Sequence, residues 1–446
     1  MHYDRSLTSI EKDGQKITLI SLIIPILMQN IFLQFYGTAN TILLSGFLDT
    51  AVSASSVANQ VLDISTVILT MVTTGTVILS SIEIGAGNRA KAAEYAGTGA
   101  FTVLVVSFAL TTVNLIFAES LLSAVNLKGE TLLLACDYLR TRALFLPALG
   151  LMNFFNQLLI CNGYSKYTLA VGVFSNLINF ALSYVALYSG IYLTTPINQV
   201  AIAAGIAQVL GLALSLIFFK LRNCPFSLFY RWRSMVKIVK LGVPGAMVSL
   251  MFRIAQTVTT GFVALLGDDV INTKVYINNI VAYIPLIGYA IGSANMVFMG
   301  RFKGRGELEK ADKLFRQNRA IAFCCNLILS LTVLLLHRPL MSLFTSNAEI
   351  INAAGKIFLI DVFVQLPRSI NNISEGSLSA NGDVRITFIT STLSCWLGSV
   401  VLSYLLCVVL GWGLVGLWVA FAVDETFKSI VYIVRWHSGK WRNIDI

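Results

Sequence analysis

Apolar residues run through this chain in long blocks separated by short polar breaks. Twelve blocks reach the length of about 20 residues that a helix needs to cross a bilayer. Six fall at 17–48, 53–84, 95–118, 131–160, 167–190 and 197–220. Six more fall at 236–266, 272–302, 314–337, 349–379, 386–409 and 411–435. At about 1.5 Å per residue several outrun the bilayer core, so they are expected to tilt, bend or project into water. Pro25, Pro147, Pro244, Pro285 and Pro367 stand inside blocks. Each removes a backbone donor and favours a kink, and Pro25, Pro244 and Pro367 are the candidate hinges.

The second set of blocks repeats the first. One ungapped shift of 219 positions maps Pro25 onto Pro244, Asn59 onto Asn278, Gly87 onto Gly306 and Lys91 onto Lys310. It also maps Asn162-Gly163 onto Asn381-Gly382 and Thr168 onto Thr387. Two copies of one six-span half are expected, with residues 1–220 as the N-terminal lobe and 241–446 as the C-terminal lobe. Between them, 221–240 reads as a basic cytoplasmic linker; Lys220 to Lys240 holds six basic residues and no acid. The expected fold is an all-α polytopic membrane protein of twelve helices. Its lobes are expected to be related by a pseudo-two-fold axis along the membrane normal, because an even number of spans returns the chain to the side it entered from.

Composition agrees with lipid as the solvent. Hydrophobic residues make up 56% and charged residues 12%, too few charges for the surface of a soluble chain of this size. Met1 to Lys16 is polar, with no removable signal peptide in view. The basic residues are lopsided. Arg89, Lys91, Lys166, the linker, Arg301 to Arg319, Arg385, Arg435, Lys440 and Arg442 share one side with both termini; the opposite loops hold Lys128, Lys274 and Arg338. The positive-inside rule puts both termini in the cytoplasm, with a bacterial inner membrane as the expected location. The same bias, with anionic lipid headgroups, accounts for the net charge of +10 without nucleic acid. Trp232, Trp436 and Trp441 read as interfacial anchors. The seven cysteines form no C-x-x-C pair, and adjacent Cys324 and Cys325 read as small buried hydrophobes.

Several stretches resemble the multidrug and toxic compound extrusion (MATE) family. They are Gly85 to Ala92 (GAGNRAKA) after the second block, its echo Gly304 to Ala311, Gly416 to Glu425 (GLWVAFAVDE) and Arg435 to Trp441. The opening runs Pro25 to Asn30 and Phe35 to Ile42 are similar as well. The resemblance covers nearly the whole chain. It implies an alternating-access exporter of organic, often cationic, compounds driven by proton or sodium entry. Many bacterial members place an Asp in the first helix where this chain has Asn40, and others place acids near the positions of Arg253 and Arg368. Asn offers only an amide oxygen and Arg stays protonated, so the coupling ion, H+ or Na+, stays open.

Ionisable residues at membrane depth each cost about 2.5–3.5 kcal/mol on insertion scales, so they are expected to face partners or water. They are Asp63, Asp137, Arg140 and Arg142 in the first half, and Arg253, Lys356, Asp361, Arg368 and Glu375 in the second. Asp361, Arg368 and Glu375 are seven apart. They share one stripe of a helix but rise by about 10.5 Å per step, too far for direct pairing. Arg253 is the expected partner in the same lobe. The stripe reads either as a cavity lining or as a structural ion pair between spans seven and ten. Asp63, one turn after Asn59, reads as a first-lobe acid standing in for the one missing at Asn40, or as a solvated residue. The candidate substrate- or ion-binding residues are therefore Asn40, Asp63, Arg253, Asp361, Arg368 and Glu375. Asp424 and Lys428, four apart, read as a helix-surface pair. No nucleophile–base pair, phosphate loop or metal-ligand cluster is seen, so no enzyme chemistry and no cofactor are expected. Two function classes are weighed, a secondary transporter and a membrane-embedded enzyme or receptor; the second leaves the duplicated halves unexplained. Within transport, the alternative to MATE-type efflux is a flippase or exporter of lipid-linked or anionic amphiphiles, which internal arginines would suit. The expected partners are a small-molecule substrate and membrane lipids, and the chain is expected to act as a monomer.

Overall fold

A backbone surrounded by lipid satisfies its amides only within helices or closed barrels. The computed structural model is accordingly helical almost throughout, and it describes residues 9–12, 15–45, 49–123, 129–188, 194–345 and 347–444. A short antiparallel hairpin, β1 (Ser9–Lys12) and β2 (Gln15–Thr18), precedes the first helix. The first copy comprises α1 (Leu19–Ser45), α2 (Asp49–Gly85), α3 (Arg89–Ser123), α4 (Gly129–Ala143), α5 (Leu146–Cys161), α6 (Ser165–Tyr188) and α7 (Pro196–Leu221). The second comprises α8 (Trp232–Ala264), α9 (Asp268–Val281), α10 (Leu286–Gly304), α11 (Leu308–Leu335), α12 (His337–Met341), α13 (Ala348–Ala380), α14 (Val384–Ser394) and α15 (Gly413–His437). α14 continues through π-helical turns to Val409, a wide winding that the sequence does not announce.

Among the described residues, nine helices are long and apolar enough to cross a membrane, and the bent pairs α4–α5 (52°) and α9–α10 (50°) each supply one more span. α15 is the twelfth. It carries Asp424, Glu425 and Lys428 at its middle, in an otherwise apolar helix. The protein is thus an all-α polytopic membrane protein. Its sharp bends lie at Pro147, in the first turn of α5, and at Pro285, which caps α10. The candidate hinges Pro25, Pro244 and Pro367 instead sit inside the continuous helices α1, α8 and α13.

The chain divides into two compact units, Ile20–Ala246 and Met247–Ile446, the second joined by the segment up to Leu19. The division falls inside α8, just past Pro244. In the first unit, α2, α4 and α7 close over Ala54, Leu62, Leu122, Leu139 and Leu146. In the second, α9, α13 and α15 close over Ile277, Ile357, Phe358, Leu417 and Trp418. The start of α8 crosses α2 backbone to backbone. A Cβ on Gly75 would lie 2.0 Å from the Ile238 carbonyl oxygen, and one on Gly242 would lie 1.8 Å from that of Met71. Small residues at such a crossing replace the hydrophobic drive that lipid removes.

The copies share their turns. Gly87 and Gly306 both hold positive φ (80° and 73°), as do Gly163 and Gly382 (92° and 84°). At each turn the next residue reaches back five positions: Asn88 N to Glu83 O and Glu307 N to Phe302 O, Tyr164 N to Leu159 O and Asp383 N to Leu378 O, at 2.8–2.9 Å. These are left-handed helix ends that only glycine adopts without a Cβ penalty, and the shift of 219 superimposes them.

Three expectations about the rim of the bilayer change. Lys274 is not in a loop: it lies in α9, buried, with Nζ donating to Thr260 Oγ1 at 2.7 Å. Trp436 and Trp441 are not interfacial anchors. They are buried and stack on each other at 4.1 Å, Trp436 also stacks on Phe315 at 4.1 Å, and Trp436 Nε1 donates to Asp312 Oδ1 at 2.7 Å. Trp232 stays exposed. Cys324 is exposed on α11 and Cys325 half-buried; none of the seven cysteines is joined in a disulfide. Lys128 lies outside the described residues.

Candidate functional site

The polar centre of the second unit is the seam between α13 and α15. Asp361 is buried there and meets only neutral donors: Trp418 Nε1 at 3.1 Å from Oδ1, and Gln365 Nε2 at 3.2 Å from both carboxylate oxygens. Gln365 follows Asp361 by one turn of α13, and Trp418 reaches across from α15. The Gln365 Oε1 atom is buried with no partner among the described residues. Among the described residues no cation makes a hydrogen bond or ion pair with Asp361; Arg368, two turns on, reaches it only through its field.

One level along the seam, two turns of helix away, Arg368 Nε donates to Glu425 Oε1 at 3.0 Å. Asn371 Nδ2 donates to Glu425 Oε2 and to its backbone oxygen, both at 2.8 Å. Lys428 Nζ lies 3.4 Å from Glu425 and 3.2 Å from Asp424 Oδ2. Asp424 also accepts from Ser399 Oγ at 2.6 Å and, by a very short contact, from Ser394 Oγ, both on the α14 span. Gly398 permits that approach, since a Cβ there would meet the Asp424 Cβ at 2.9 Å. Ser429 Oγ donates to Asn371 Oδ1 and to the Pro367 carbonyl oxygen, each at 3.0 Å. The seryl bond thus occupies a backbone acceptor beside the proline of α13.

The network corrects two expectations. Asp424 and Lys428 are not a surface pair; both are buried and belong to a linked set of charges. Arg253 is not the partner of the α13 stripe. It is exposed on α8, and the contacts of Asp361, Arg368 and Glu375 do not include it. The ion pairs join spans ten and twelve, not seven and ten. Glu375 is half-buried and, among the described residues, makes no hydrogen bond or ion pair, though Lys428 and Glu425 are within its electrostatic reach. Asp63 is exposed within α2. Asn40 lies in α1, but its side chain is outside the described set. The residues that sequence reasoning missed are Glu425, Trp418, Asn371, Ser394 and Ser399. The signal for them was the pair Asp424-Glu425 in the middle of an apolar block.

In charge terms the seam is incomplete. Asp361, Glu375, Asp424 and Glu425 bring four carboxyl groups against the two cations Arg368 and Lys428. A buried acid without a counter-charge is stable only when protonated or when a cation or water reaches it. Among the described residues no three His, Cys, Asp or Glu side chains converge as metal ligands. A bound cation would therefore have to draw on hydroxyl, amide and carboxylate oxygens together.

Known proteins agree with this architecture. The MatE family model matches residues 25–185 and again 244–405. The chain is 28% identical over 441 residues to the uncharacterized transporter YisQ of Bacillus subtilis, covering 97% of each chain. It is 23% identical over 430 residues to the probable multidrug resistance protein NorM of Thermotoga maritima, covering 95% of this chain and 92% of that one. A MOP superfamily transporter from Pyrococcus furiosus has the same fold, with a TM-score of 0.87 at 17% identity over 96% of each chain. An outward-facing multidrug resistance MATE transporter of that superfamily also matches, with a TM-score of 0.88 over 96% of each chain. The family model takes up the chain twice, from Pro25 and from Pro244, each time over the same length of helices, and this membrane protein belongs to the MatE family of transporters.

Proposed function

We propose that this chain is a secondary active efflux transporter of the MATE type, exporting organic compounds by alternating access coupled to proton or sodium entry, with both termini in the cytoplasm of a bacterial cell. The observation that carries the coupling is the surplus of acids at the α13–α15 seam, with Asp361 buried against neutral donors alone. Ionised, Asp361 accepts from Gln365 and Trp418. Protonated, it needs an acceptor, and a half-turn of the Gln365 amide would present the unpartnered Oε1 to it. One proton thus exchanges one satisfied arrangement for another. Glu375, which among the described residues makes no hydrogen bond or ion pair, is the second acid open to an ion. Charging or neutralising these groups would change how firmly α15 holds α13 beside Pro367, and so bias the helix pair between inward-open and outward-open states. Arg368 is engaged by Glu425, which lends no support to an anionic cargo.

The test is ion-gradient-driven uptake in inside-out vesicles over cationic, zwitterionic and anionic compounds, under imposed proton or sodium gradients. Asp361→Asn and Glu375→Gln are compared with Asp63→Asn at matched membrane expression. Loss of ion-driven transport in either second-lobe variant, with downhill substrate exchange retained, supports the proposal. If all three transport like wild type, the seam is structural. If only Asp63→Asn fails, coupling resides in the first lobe.

A further inference from the structure

The segment between α7 and α8 is a strap laid along α3. Arg89 Nη2 donates to the Asn223 carbonyl oxygen at 3.1 Å, and Ser227 N donates to the Ala93 carbonyl oxygen at 3.1 Å. The Ser227 carbonyl sits where a Cβ on Gly97 would be, 1.5 Å away. Arg231 N donates to Thr98 Oγ1 at 3.3 Å, and the Arg231 guanidinium and Ser234 hydroxyl together hold Glu94. Tyr230 packs on Phe101, three turns into α3, at 5.0 Å. The strap is therefore pinned backbone-first along the first turns of α3. Yet three of its large apolar side chains turn away from the protein: Leu228 is 92% exposed, Phe229 82% and Trp232 64%. Water is a poor medium for that row, and it lies beside charge. Arg233, Lys237 and Lys240, on the first turns of α8, fall within about 60° of one helix face. All three are exposed and make no hydrogen bond or ion pair among the described residues. Among the described residues, the acid that the strap reaches, Glu94, is already taken by Arg231.

We infer that this strap is a selective site for anionic phospholipid in the cytoplasmic leaflet. Leu228, Phe229 and Trp232 enter the acyl boundary, and Arg233, Lys237 and Lys240 hold the headgroup phosphate. An exposed apolar row flanked by uncompensated basic residues is the pattern that binds an anionic bilayer surface. A neutral lipid would fill the apolar half and leave three cations unmatched. The commitment is thus to a headgroup with net negative charge, such as phosphatidylglycerol, not to lipid in general.

Trp232 is the reporter. The full-length protein is reconstituted in phosphatidylcholine bilayers containing a minor fraction of phosphatidylglycerol, with one or the other lipid brominated on its chains. Subtracting the emission of Trp232→Phe isolates this residue from the other tryptophans. Brominated phosphatidylglycerol is expected to quench Trp232 as though enriched about fivefold or more over its mole fraction, the shift that a single basic residue gives at an anionic surface. The enrichment should disappear in Arg233→Gln/Lys237→Gln/Lys240→Gln, while quenching by brominated phosphatidylcholine persists. It should also disappear in the wild type at about 1 M salt, where the Debye length is about 3 Å; that arm stands even if the triple variant does not fold. Quenching by each lipid in simple proportion to its mole fraction in the wild type overturns the inference. So does enrichment that survives both charge removal and salt, or a Trp232 quenched by aqueous iodide and by neither lipid.

Discussion

Replacing Glu425 by Leu leaves Arg368 in the α13–α15 seam without its carboxylate. The neighbours show what remains: Lys428 keeps Asp424 at 3.2 Å, Asn371 Nδ2 keeps the backbone oxygen of residue 425 at 2.8 Å, and Arg368 keeps no ion-pair partner. The Arg368 and Glu425 side chains are 19% and 6% exposed, so little solvent compensates. Removing one member of a buried pair costs about 3–5 kcal/mol, and the partial exposure of Arg368 favours the lower end, about 3 kcal/mol. Arg368→Met should cost about half as much, because Glu425 still accepts from Asn371 and lies near Lys428. The double variant removes both charges and leaves Asp424–Lys428 as a closed pair, so it should be less damaged than Glu425→Leu alone. A coupling of about 2 kcal/mol or more is expected from the cycle. Thermal unfolding can be followed with a thiol-reactive dye, because Cys136, Cys161, Cys224, Cys395 and Cys407 are buried. For a unit of this size about 3 kcal/mol corresponds to a drop of roughly 6–12 °C. If the two single shifts simply add in the double variant, the pair is not the element that ties α13 to α15.

Other outcomes follow from the same packing. Gly75→Leu or Gly242→Leu should abolish folding or sharply reduce membrane yield, because each backbone carbonyl opposite is already within 2.0 Å of an added Cβ; a wild-type yield would refute the α2–α8 crossing. Trp441→Ala should lower the melting temperature through a loss of about 3–5 kcal/mol, since it empties a fully buried stack on Trp436; an unchanged melt would return Trp441 to the interface. Single cysteines at Arg89, Lys166, Lys237 and Arg385 should resist an impermeant thiol reagent in intact cells, and ones at Lys128 and Arg338 should react. The reverse pattern would invert the proposed orientation.

Much of the fold was legible because the constraints on it are local. A span needs length and apolarity, a helix end needs glycine at a left-handed position, and the repeat at 219 carried both, down to the matched turns at Gly87 and Gly306. The site was only half legible for a physical reason. In a soluble helix an i,i+4 pair such as Asp424–Lys428 marks the wet face, because the dry face is apolar. In a membrane the lipid-facing side is the apolar one, and charges turn inward. The same inversion misplaced Trp436 and Trp441, whose amphipathic rings suit an interface but here close a stack inside the second unit. Which helix would meet the α13 stripe was beyond the sequence as well. The spacing of Asp361, Arg368 and Glu375 excluded pairing along the helix, but a choice between spans seven and twelve needs the three-dimensional packing.

The duplication itself argues for where the charges belong. Carried along the ungapped shift, Asp361 corresponds to Arg142, Arg368 to Leu149 and Glu375 to Asn156. The same seam, fourth span against sixth, exists in the first copy between α4–α5 and α7. There it is bridged without an acid: Ser215 Oγ donates to Asn156 Oδ1 at 2.9 Å, and the Gln208 amide, with its oxygen turned to the Arg142 guanidinium, accepts from Nη1 at 3.0 Å. The backbones differ in step. The first copy breaks by 52° between α4 and α5, while its counterpart α13 runs unbroken through Pro367; the second copy breaks by 50° between α9 and α10, while α2 is continuous. The two copies thus build the same seam in two ways. The first copy breaks its helix and carries no acid in α5 or α7. The second keeps its helix whole and loads the seam with ionisable groups. The second copy carries Asp361 and Glu375 on the helix that forms its seam between fourth and sixth spans, which is why ion-sensing is proposed there and not at Asn40.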